Sequence, residues 1–159
     1  MAGYLKAEGL EQFSRMLQGL ADNAAEIAAA GLYAGAGVAA DAMTAAVDNI
    51  STEDFSYAPE GQTRLPSPEE KAALKGKTGI AHFRGSSTEI DTLIGFQGAG
   101  YASIGGKRKP VIVIARSINS GTSFMQKQPV FRRAISQARN SATQAVVEAA
   151  EKKINELTK

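Results

Sequence analysis

The chain has 159 residues, a length typical of one domain with its own hydrophobic core, and a formal net charge of +2. It has no cysteine, which excludes disulfides and thiolate metal ligands, and its lack of tryptophan and 6% aromatic content argue against base-stacking nucleic-acid platforms. No basic segment followed by an apolar run opens the sequence, so we expect no signal peptide, and cytoplasmic folding fits.

Charge is distributed unevenly along the sequence. Residues 1–91 carry 13 acidic and 7 basic side chains, whereas residues 92–147 carry eight basic side chains and no acidic one. These eight are Lys107, Arg108, Lys109, Arg116, Lys127, Arg132, Arg133 and Arg139. The pattern fits either a subunit with oppositely charged surfaces, suited to stacking or to an acidic partner, or two halves that mix in space once folded.

The N-terminal part of the chain is predicted to be mainly helical. Residues 3–8 are a candidate edge strand. Apolar residues at helical spacing then predict a first helix that ends near Gly19. They are Leu10, Phe13, Leu17 and Leu20.

A second helix is predicted from Asn23 to about Asn49. Asn23 and Glu26 have the spacing of an N-cap and its capping-box partner. The middle of this helix is rich in alanine and glycine, which allows another helix to approach closely. Gly31 and Gly35 also match the pattern of membrane helix dimers, but nearby acidic residues and weak hydrophobicity favour close packing, within or between subunits, over a membrane span.

The middle of the chain begins with an irregular segment. Residues 51–66 are polar and contain proline and glycine, so we predict a mobile loop. Ser67 as N-cap, Pro68 at the first helical position and two following glutamates predict a short helix. This helix is expected to run to Lys75 and to stop at Gly76.

A β-hairpin is predicted next. Residues 78–84 and 89–96 are strand candidates, and residues 85–87 form the turn between them. His82, the only histidine, has no second histidine or cysteine to share a metal, so a structural role is favoured. Residues 97–109 are rich in glycine and basic side chains and predict an exposed loop.

Residues 110–119 fit either a helix or a strand. Pro110 at the start and Gly121 at the end favour a helix, whereas the β-branched residues between them favour a strand. A last helix is predicted from Pro129 to Leu157, roughly 43 Å long at about 1.5 Å per residue. A small sheet cannot cover that length, so part of the helix is expected to pack on a neighbouring subunit. Its apolar face is Phe131, Ile135, Ala138, Ala142, Val146, Ala149 and Ile154.

The sequence contains no recognisable catalytic constellation, so we predict that the protein is not an enzyme and uses no cofactor or metal. The GxSxG and P-loop patterns are missing. Paired carboxylates occur at residues 53–54, in the predicted loop, and at residues 69–70, where a helix N-terminus favours acids.

The segment from Gly121 to Ala134, GTSFMQKQPVFRRA, resembles the C-terminal signature of a phage family. The family comprises the head–tail joining (neck or tail-completion) proteins of long-tailed double-stranded-DNA phages, in which a Gly-Thr-Ser turn and a Pro-Phe pair precede a last helix. Here Val130 separates Pro129 from Phe131. Further segments resemble family motifs in the same order, so the likeness covers most of the chain. They are residues 9–13, 77–80 and 94–96.

The resemblance implies a single α+β domain, residues 1–159, with long N-terminal and C-terminal helices packed on a small antiparallel β-sheet. It implies a virion structural protein that forms a sixfold or twelvefold homo-oligomeric ring in the phage neck. The ring would contact portal-side connector proteins and the tail tube or terminator protein, after assembly in the bacterial host cytoplasm and without a membrane. A tail-terminator ring and a small basic nucleic-acid-binding protein are the alternatives.

Candidate contact residues follow from the same resemblance. The expected subunit or partner contacts are Phe124, Gln128, Pro129, Phe131, Arg132 and Arg133. The residues expected to face an acidic partner or DNA in the lumen are Lys107, Arg108, Lys109, Arg116, Lys127 and Arg139. Basic side chains at a helix N-terminus oppose the helix dipole, so an acidic group opposite them explains their placement more easily than a solvated surface does.

Overall fold

Two long helices and two small hairpins form the fold. A computed structural model of the chain describes residues 10–54, 61–81, 84–85, 90–96 and 99–158. In chain order the elements are α1 (Leu10–Asp22), α2 (Ala24–Asp48), α3 (Pro68–Ala72), β1 (Gly79–Ile80), β2 (Arg84–Gly85), β3 (Ile90–Asp91), β4 (Ile94–Gly95), β5 (Tyr101–Ile104), β6 (Lys107–Pro110), α4 (Val111–Ser120) and α5 (Val130–Leu157). The helix α2 packs along α5 and against β1, β3 and β4, so the predicted α+β class is confirmed. The predicted edge strand at residues 3–8 and His82 lie outside the described residues.

The helices α2 and α5 run antiparallel and approach closely because α2 presents glycine to Val146. A Cβ atom at Gly31 would lie 3.0 Å from the Val146 carbonyl oxygen, and one at Gly35 would lie 2.5 Å from Val146 Cγ2. Further along the pair, Lys153 Nζ lies 2.7 Å from Glu26 Oε1. The predicted close helix packing is therefore confirmed, and it occurs within the chain.

Asn23 separates α1 from α2 without capping α2. Its side-chain amide donates to the Gly19 carbonyl at 2.8 Å, and it makes no side-chain capping hydrogen bond. The predicted capping box with Glu26 is wrong because the Asn23 amide turns back toward the preceding helical turn, while Glu26 pairs with Lys153. The first helix also continues past Gly19 to Asp22.

The predicted hairpin of residues 78–84 and 89–96 forms as two short strand pairs. In the first pair Ile80 lies opposite Ile94, and in the second Arg84 lies opposite Asp91, both antiparallel. Three residues on one side and two on the other separate these pairs, so the register of the second pair is shifted by one residue from that of the first.

The exposed loop predicted at residues 97–109 is wrong, because most of it is an antiparallel hairpin of β5 and β6. Ile104 lies opposite Lys107. Gly105 and Gly106 form the two-residue turn, with φ values of +55° and +74°. A type I′ hairpin turn needs positive φ at both positions, which glycine adopts without strain. The glycines therefore mark a turn between strands.

The segment predicted as a mobile loop, residues 51–66, is irregular at its described ends but is anchored there. The Leu65 backbone N–H donates to Glu53 Oε1 at 2.6 Å. Arg64 forms a parallel β-bridge with Met125, and its backbone N–H donates to the Phe124 carbonyl at 2.9 Å. These contacts join the segment to the turn that precedes α5.

The short helix α3 begins as predicted and ends early. The Ser67 side chain accepts from the Glu70 backbone N–H at 3.2 Å, and Glu70 Oε2 accepts from the Ser67 N–H at 3.0 Å, so the capping box is complete. Pro68 occupies the first helical position. The helix ends at Ala72, and turns continue to Gly76, whose φ is +64°.

The region at residues 110–119 is a helix, and its apolar face lies at the centre of the core. Val111, Ile114 and Ile118 of α4 are buried, at helical spacing. The largest apolar cluster joins α4 to the C-terminal end of α2, the hairpins and the start of α5. Its members are Met43, Ala46, Val47, Ile50, Leu74, Phe96, Ile104, Val111, Ile114, Ala115, Ile118, Met125 and Phe131.

The helices also extend beyond this cluster. We call this extension the arm, and it comprises α1, residues 24–38 of α2 and residues 142–157 of α5; the remaining described residues are the body. No member of the apolar cluster lies in the arm. The arm carries six acidic and three basic side chains, whereas the body carries seven acidic and thirteen basic ones. The uneven charge of the sequence therefore persists in space.

Gly35→Ala is expected to destabilise the protein. The new Cβ would meet Val146 Cγ2 and, at 3.0 Å, the Ala142 carbonyl oxygen. Overpacking of this kind costs about 1–3 kcal/mol, against roughly 1 kcal/mol gained from helix propensity. Urea unfolding should show a lower midpoint.

Gly37→Ala is the matched control in the same helix. A Cβ at Gly37 would have nothing within 4 Å. Helix propensity alone should therefore raise the free energy of unfolding by up to about 1 kcal/mol. Equal shifts for the two variants would contradict the close contact between α2 and α5.

Candidate interaction surface

The segment with the family-like signature is a closed turn between α4 and α5. Gly121 ends α4 with φ at +76°, and a Cβ there would lie 3.0 Å from Lys127 Cβ. The Thr122 N–H donates to the Met125 carbonyl at 2.9 Å, and Thr122 Oγ1 accepts from the Met125 N–H at 3.0 Å. Glycine is favoured at residue 121 both by its φ and by the close return of the chain.

Gln128, a predicted partner contact, is used within the chain. Its Oε1 accepts from the Ser51 N–H at 2.9 Å, and its Nε2 donates to the Ser51 carbonyl at 2.9 Å. Both ends of the amide are therefore occupied by the chain's own backbone. The side chain therefore ties the turn to the segment after α2, and a partner contact at Gln128 stays a prediction. Pro129 is half-buried and precedes the first residue of α5.

Phe131, predicted as a subunit contact, is instead a core residue. It is 5% exposed, and its ring packs edge-on against Phe96 with 5.0 Å between centroids. The helix α5 begins with this side chain in the apolar cluster, so the aromatic position of the signature anchors the helix. A contact with another subunit is wrong for Phe131 because almost none of its surface reaches solvent.

Three of the predicted contact residues remain on the surface. Phe124 is 54% exposed at the tip of the turn, and Arg132 and Arg133 are exposed on the first turn of α5. The backbone N–H of Arg132 donates to Asn119 Oδ1 at 3.5 Å.

A basic cleft of about 420 Å³ lies where α4 ends and α5 begins. Its lining residues are Asn119, Ser120, Lys127, Pro129, Arg132, Arg133 and Ser136. Arg116 and Arg139 are exposed on α4 and α5. Among the described residues, no carboxylate forms an ion pair with Arg116, Lys127, Arg132, Arg133 or Arg139. We call these five cations the basic end.

The other predicted basic cluster, residues 107–109, is divided among different contacts on β6. Lys109 Nζ lies 3.6 Å from Glu70 Oε1, so this side chain is paired within the chain rather than free for a partner. The Arg108 guanidinium lies 4.3 Å from the centre of the Tyr101 ring, a cation–π arrangement. Lys107 is exposed beside the turn.

Glu70 is the centre of a buried ion cluster that sequence reasoning treated only as a helix-terminal acid. It is 2% exposed, and its two carboxylate oxygens each lie 2.7 Å from a guanidinium nitrogen of Arg64. Burial by itself would raise the pKa of Glu70, but the hydrogen bonds from Arg64 and the Ser67 N–H, with the charges of Arg64 and Lys109, lower it below its ordinary value. The cluster joins α3 to β6 and to the strand-like segment at Arg64.

An apolar stripe lies exposed on α1. Phe13, Met16 and Leu17 lie on one face at spacings of three and four, and Phe13 is 55% exposed. The whole stretch of residues 11–18 is exposed, because α1 touches α2 and α5 only weakly. We call these three side chains the α1 stripe.

A groove of about 730 Å³ lies between α2, α5 and the strands β3 and β4. Its floor is formed by small and apolar residues, and Ile135, which is 42% exposed, lies along it. Arg132 and Arg139 on one side and Asp91 on the other contribute its charged groups. Part of the apolar face predicted for the last helix therefore lines this open groove.

By length and composition α2 is long and apolar enough to cross a membrane, with a mean hydropathy of 1.2 over its most apolar window. The same properties occur in core helices of soluble proteins, and here α2 packs along α5. In the described part of the chain, no group of three or more histidine, cysteine or acidic residues is placed to hold a metal ion.

Comparisons of the chain with protein-family models, with curated proteins and with solved structures find no match.

Glu70 should make the stability of the protein depend on pH. Its pKa is lower in the folded state, so its contribution is present above its ordinary pKa of 4.5 and is lost as the pH falls through the lower folded value. Glu70→Gln should lose about 3–5 kcal/mol at neutral pH, since Arg64 would remain buried without its partner. Unfolding midpoints measured from pH 7 down to acid should therefore converge for the two proteins.

Glu151→Gln, which changes an exposed carboxylate on α5, is the control and should follow the wild-type curve. A Glu70→Gln protein as stable as wild type at neutral pH would show that the cluster contributes little.

Proposed function

We propose that the protein is a non-enzymatic structural subunit that forms a ring in the neck of a phage virion and joins the head connector to the tail tube. The assembly part of the proposal is carried by one observation, the α1 stripe, which no other part of the described chain covers. Large apolar side chains grouped on one exposed helix face are typical of a protein–protein interaction site. The location in the neck is supported by the resemblance of residues 121–134 to the family signature.

The structural roles of the signature residues support the same proposal. Gly121 fixes a turn, and Phe131 fixes the start of α5 in the core. The turn precedes α5, and Phe124, Arg132 and Arg133 are exposed at this end of α5. In the proposed ring this end meets a connector protein, a tail protein or DNA in the lumen, each of which presents acidic groups or phosphates to the basic end.

The separation of charge between arm and body also fits repeated assembly. Copies of one chain that carry opposite charge at two ends attract one another end to end. A contact between two different surfaces of the same chain repeats from copy to copy, and it closes into a ring when the rotation between copies allows.

A second function, binding of nucleic acid by a monomer, is favoured by the five cations of the basic end. None of them is paired within the described residues, and no acid lines the cleft beside them. Phosphates are natural partners for such cations, and contacts to phosphate require no base-reading side chains.

Native mass spectrometry of the purified protein tests the ring. We expect discrete sixfold or twelvefold species without DNA, since the ring depends on protein contacts. A protein that stays monomeric at every concentration and also binds neither connector nor tail proteins would contradict the proposal.

Binding of duplex DNA separates the two functions. If a monomer contacted five phosphates through the basic end, its affinity would fall roughly 500-fold between about 50 and 200 mM salt. Arg132→Ala combined with Arg133→Ala should reduce the slope of log affinity against log salt by the equivalent of about two phosphate contacts. Arg15→Ala combined with Lys152→Ala, in the arm, should leave that slope unchanged. Rings that form without DNA and bind it weakly would instead favour the neck proposal.

A further inference from the structure

Two apolar surfaces, the α1 stripe and the groove, have no partner within the described part of the chain. The α1 stripe lies on α1 in the arm, and the groove spans the junction of arm and body, with lining residues from both parts of α2 and α5. None of the residues that line the groove belongs to α1 of the same chain. Among the described residues each surface is therefore open, and the two are formed by different residues.

The groove has room for the side chains of the stripe. A cavity of roughly 150 Å³ accommodates one benzene molecule, so about 730 Å³ holds three side chains of the size of Phe13, Met16 and Leu17. An amphipathic helix that inserts residues at positions i, i+3 and i+4 into an apolar groove is a common mode of recognition. The open space at Ile135 and between the small residues of α2 provides that shape.

Charge also favours a second copy over an unrelated apolar partner. The arm that carries the stripe has six acidic side chains against three basic ones, and the charged residues that line the groove are two arginines and one aspartate, all in the body. Arg132 and Arg139 border the groove, and neither forms an ion pair within the described residues. An acidic arm is therefore attracted to the basic surface around the groove.

We propose that the α1 stripe of one copy docks in the groove of the next copy, and that this contact is the repeating interface of the ring. This inference rests on the proposed function and specifies its subunit contact. The two surfaces differ, so the contact is head-to-tail and each subunit uses its stripe once and its groove once. Burial of three large apolar side chains and the attraction between arm and body stabilise it.

Two variants each disrupt one of the two surfaces, the α1 stripe or the groove. The stripe variant is Phe13→Lys with Leu17→Lys, and its control, Ser14→Lys with Gln18→Lys, adds the same charge to the other side of α1. The groove variant is Ile135→Glu with Arg139→Gln. Its control, Gln137→Glu with Asn140→Glu, makes the same charge change on exposed positions of α5 outside the groove.

Native mass spectrometry should show rings for wild type and both controls and monomers for each variant alone. An equimolar mixture of the stripe and groove variants should give a one-to-one heterodimer that does not extend. The stripe variant retains a groove and the groove variant retains a stripe, so only one interface forms. Circular dichroism checks that the variants are folded.

A cross-linking experiment tests the contact without weakening it. The chain has no cysteine, so Met16→Cys and Thr143→Cys each introduce a single thiol, one in the stripe and one in the groove lining. Under mild oxidation, a mixture of the two proteins should give a disulfide-linked heterodimer in preference to either homodimer. Gln18→Cys, on the other side of α1, should cross-link poorly to Thr143→Cys.

Several results would overturn the inference. They are variants that still form rings, a mixture that stays monomeric although both proteins are folded, and preferential cross-linking of Met16→Cys to itself. Rings in those cases would leave the proposed function standing with a different interface. Wild type that is monomeric alone but binds connector or tail proteins would also reject the α1 contact while leaving the neck function in place.

Discussion

Gly31 and Gly35 allow the backbones of α2 and α5 to lie against each other with Val146 between them, and the remaining structure is arranged around that contact. The antiparallel pair places the C-terminal end of α2 beside the start of α5, where the apolar cluster forms. The opposite ends of the same two helices extend past the cluster and become the arm. The close contact between α2 and α5 therefore determines where both the apolar cluster and the arm lie.

The polar contacts of the body connect segments that are distant in sequence. Glu70 joins Arg64 and Lys109, and Gln128 holds Ser51. Each contact occupies a polar side chain that would otherwise be available to a partner. The basic end and the α1 stripe remain exposed. The proposed interface uses Arg132 and Arg139 of the basic end, whereas Arg116, Lys127 and Arg133 do not line the groove, so a ring retains these three cations after its subunits have joined.

The long helices and the short helix α3 could be predicted from local patterns, because apolar residues at helical spacing and the Ser67–Glu70 capping box are visible in the sequence. The hairpin at residues 101–110 was not predicted, since glycine and basic side chains are common to loops and to edge strands with a tight turn. The surface position predicted for Phe131 is wrong because a family signature specifies an aromatic residue but does not specify whether its side chain faces the core or the surface. The groove could not be predicted at all, because it depends on how closely α2 approaches α5 and on where β3 and β4 cross them.

The order of synthesis gives the pairing of α2 with α5 a further consequence. Residues 49–129 separate the two helices, and α5 is synthesised after all of them. Domains acquire long-range contacts only after both segments exist, and chains with many such contacts fold more slowly. While residues 49–129 are being synthesised, the glycine-rich face of α2 therefore has no partner, and the native helix pair closes only after α5 has emerged from the ribosome.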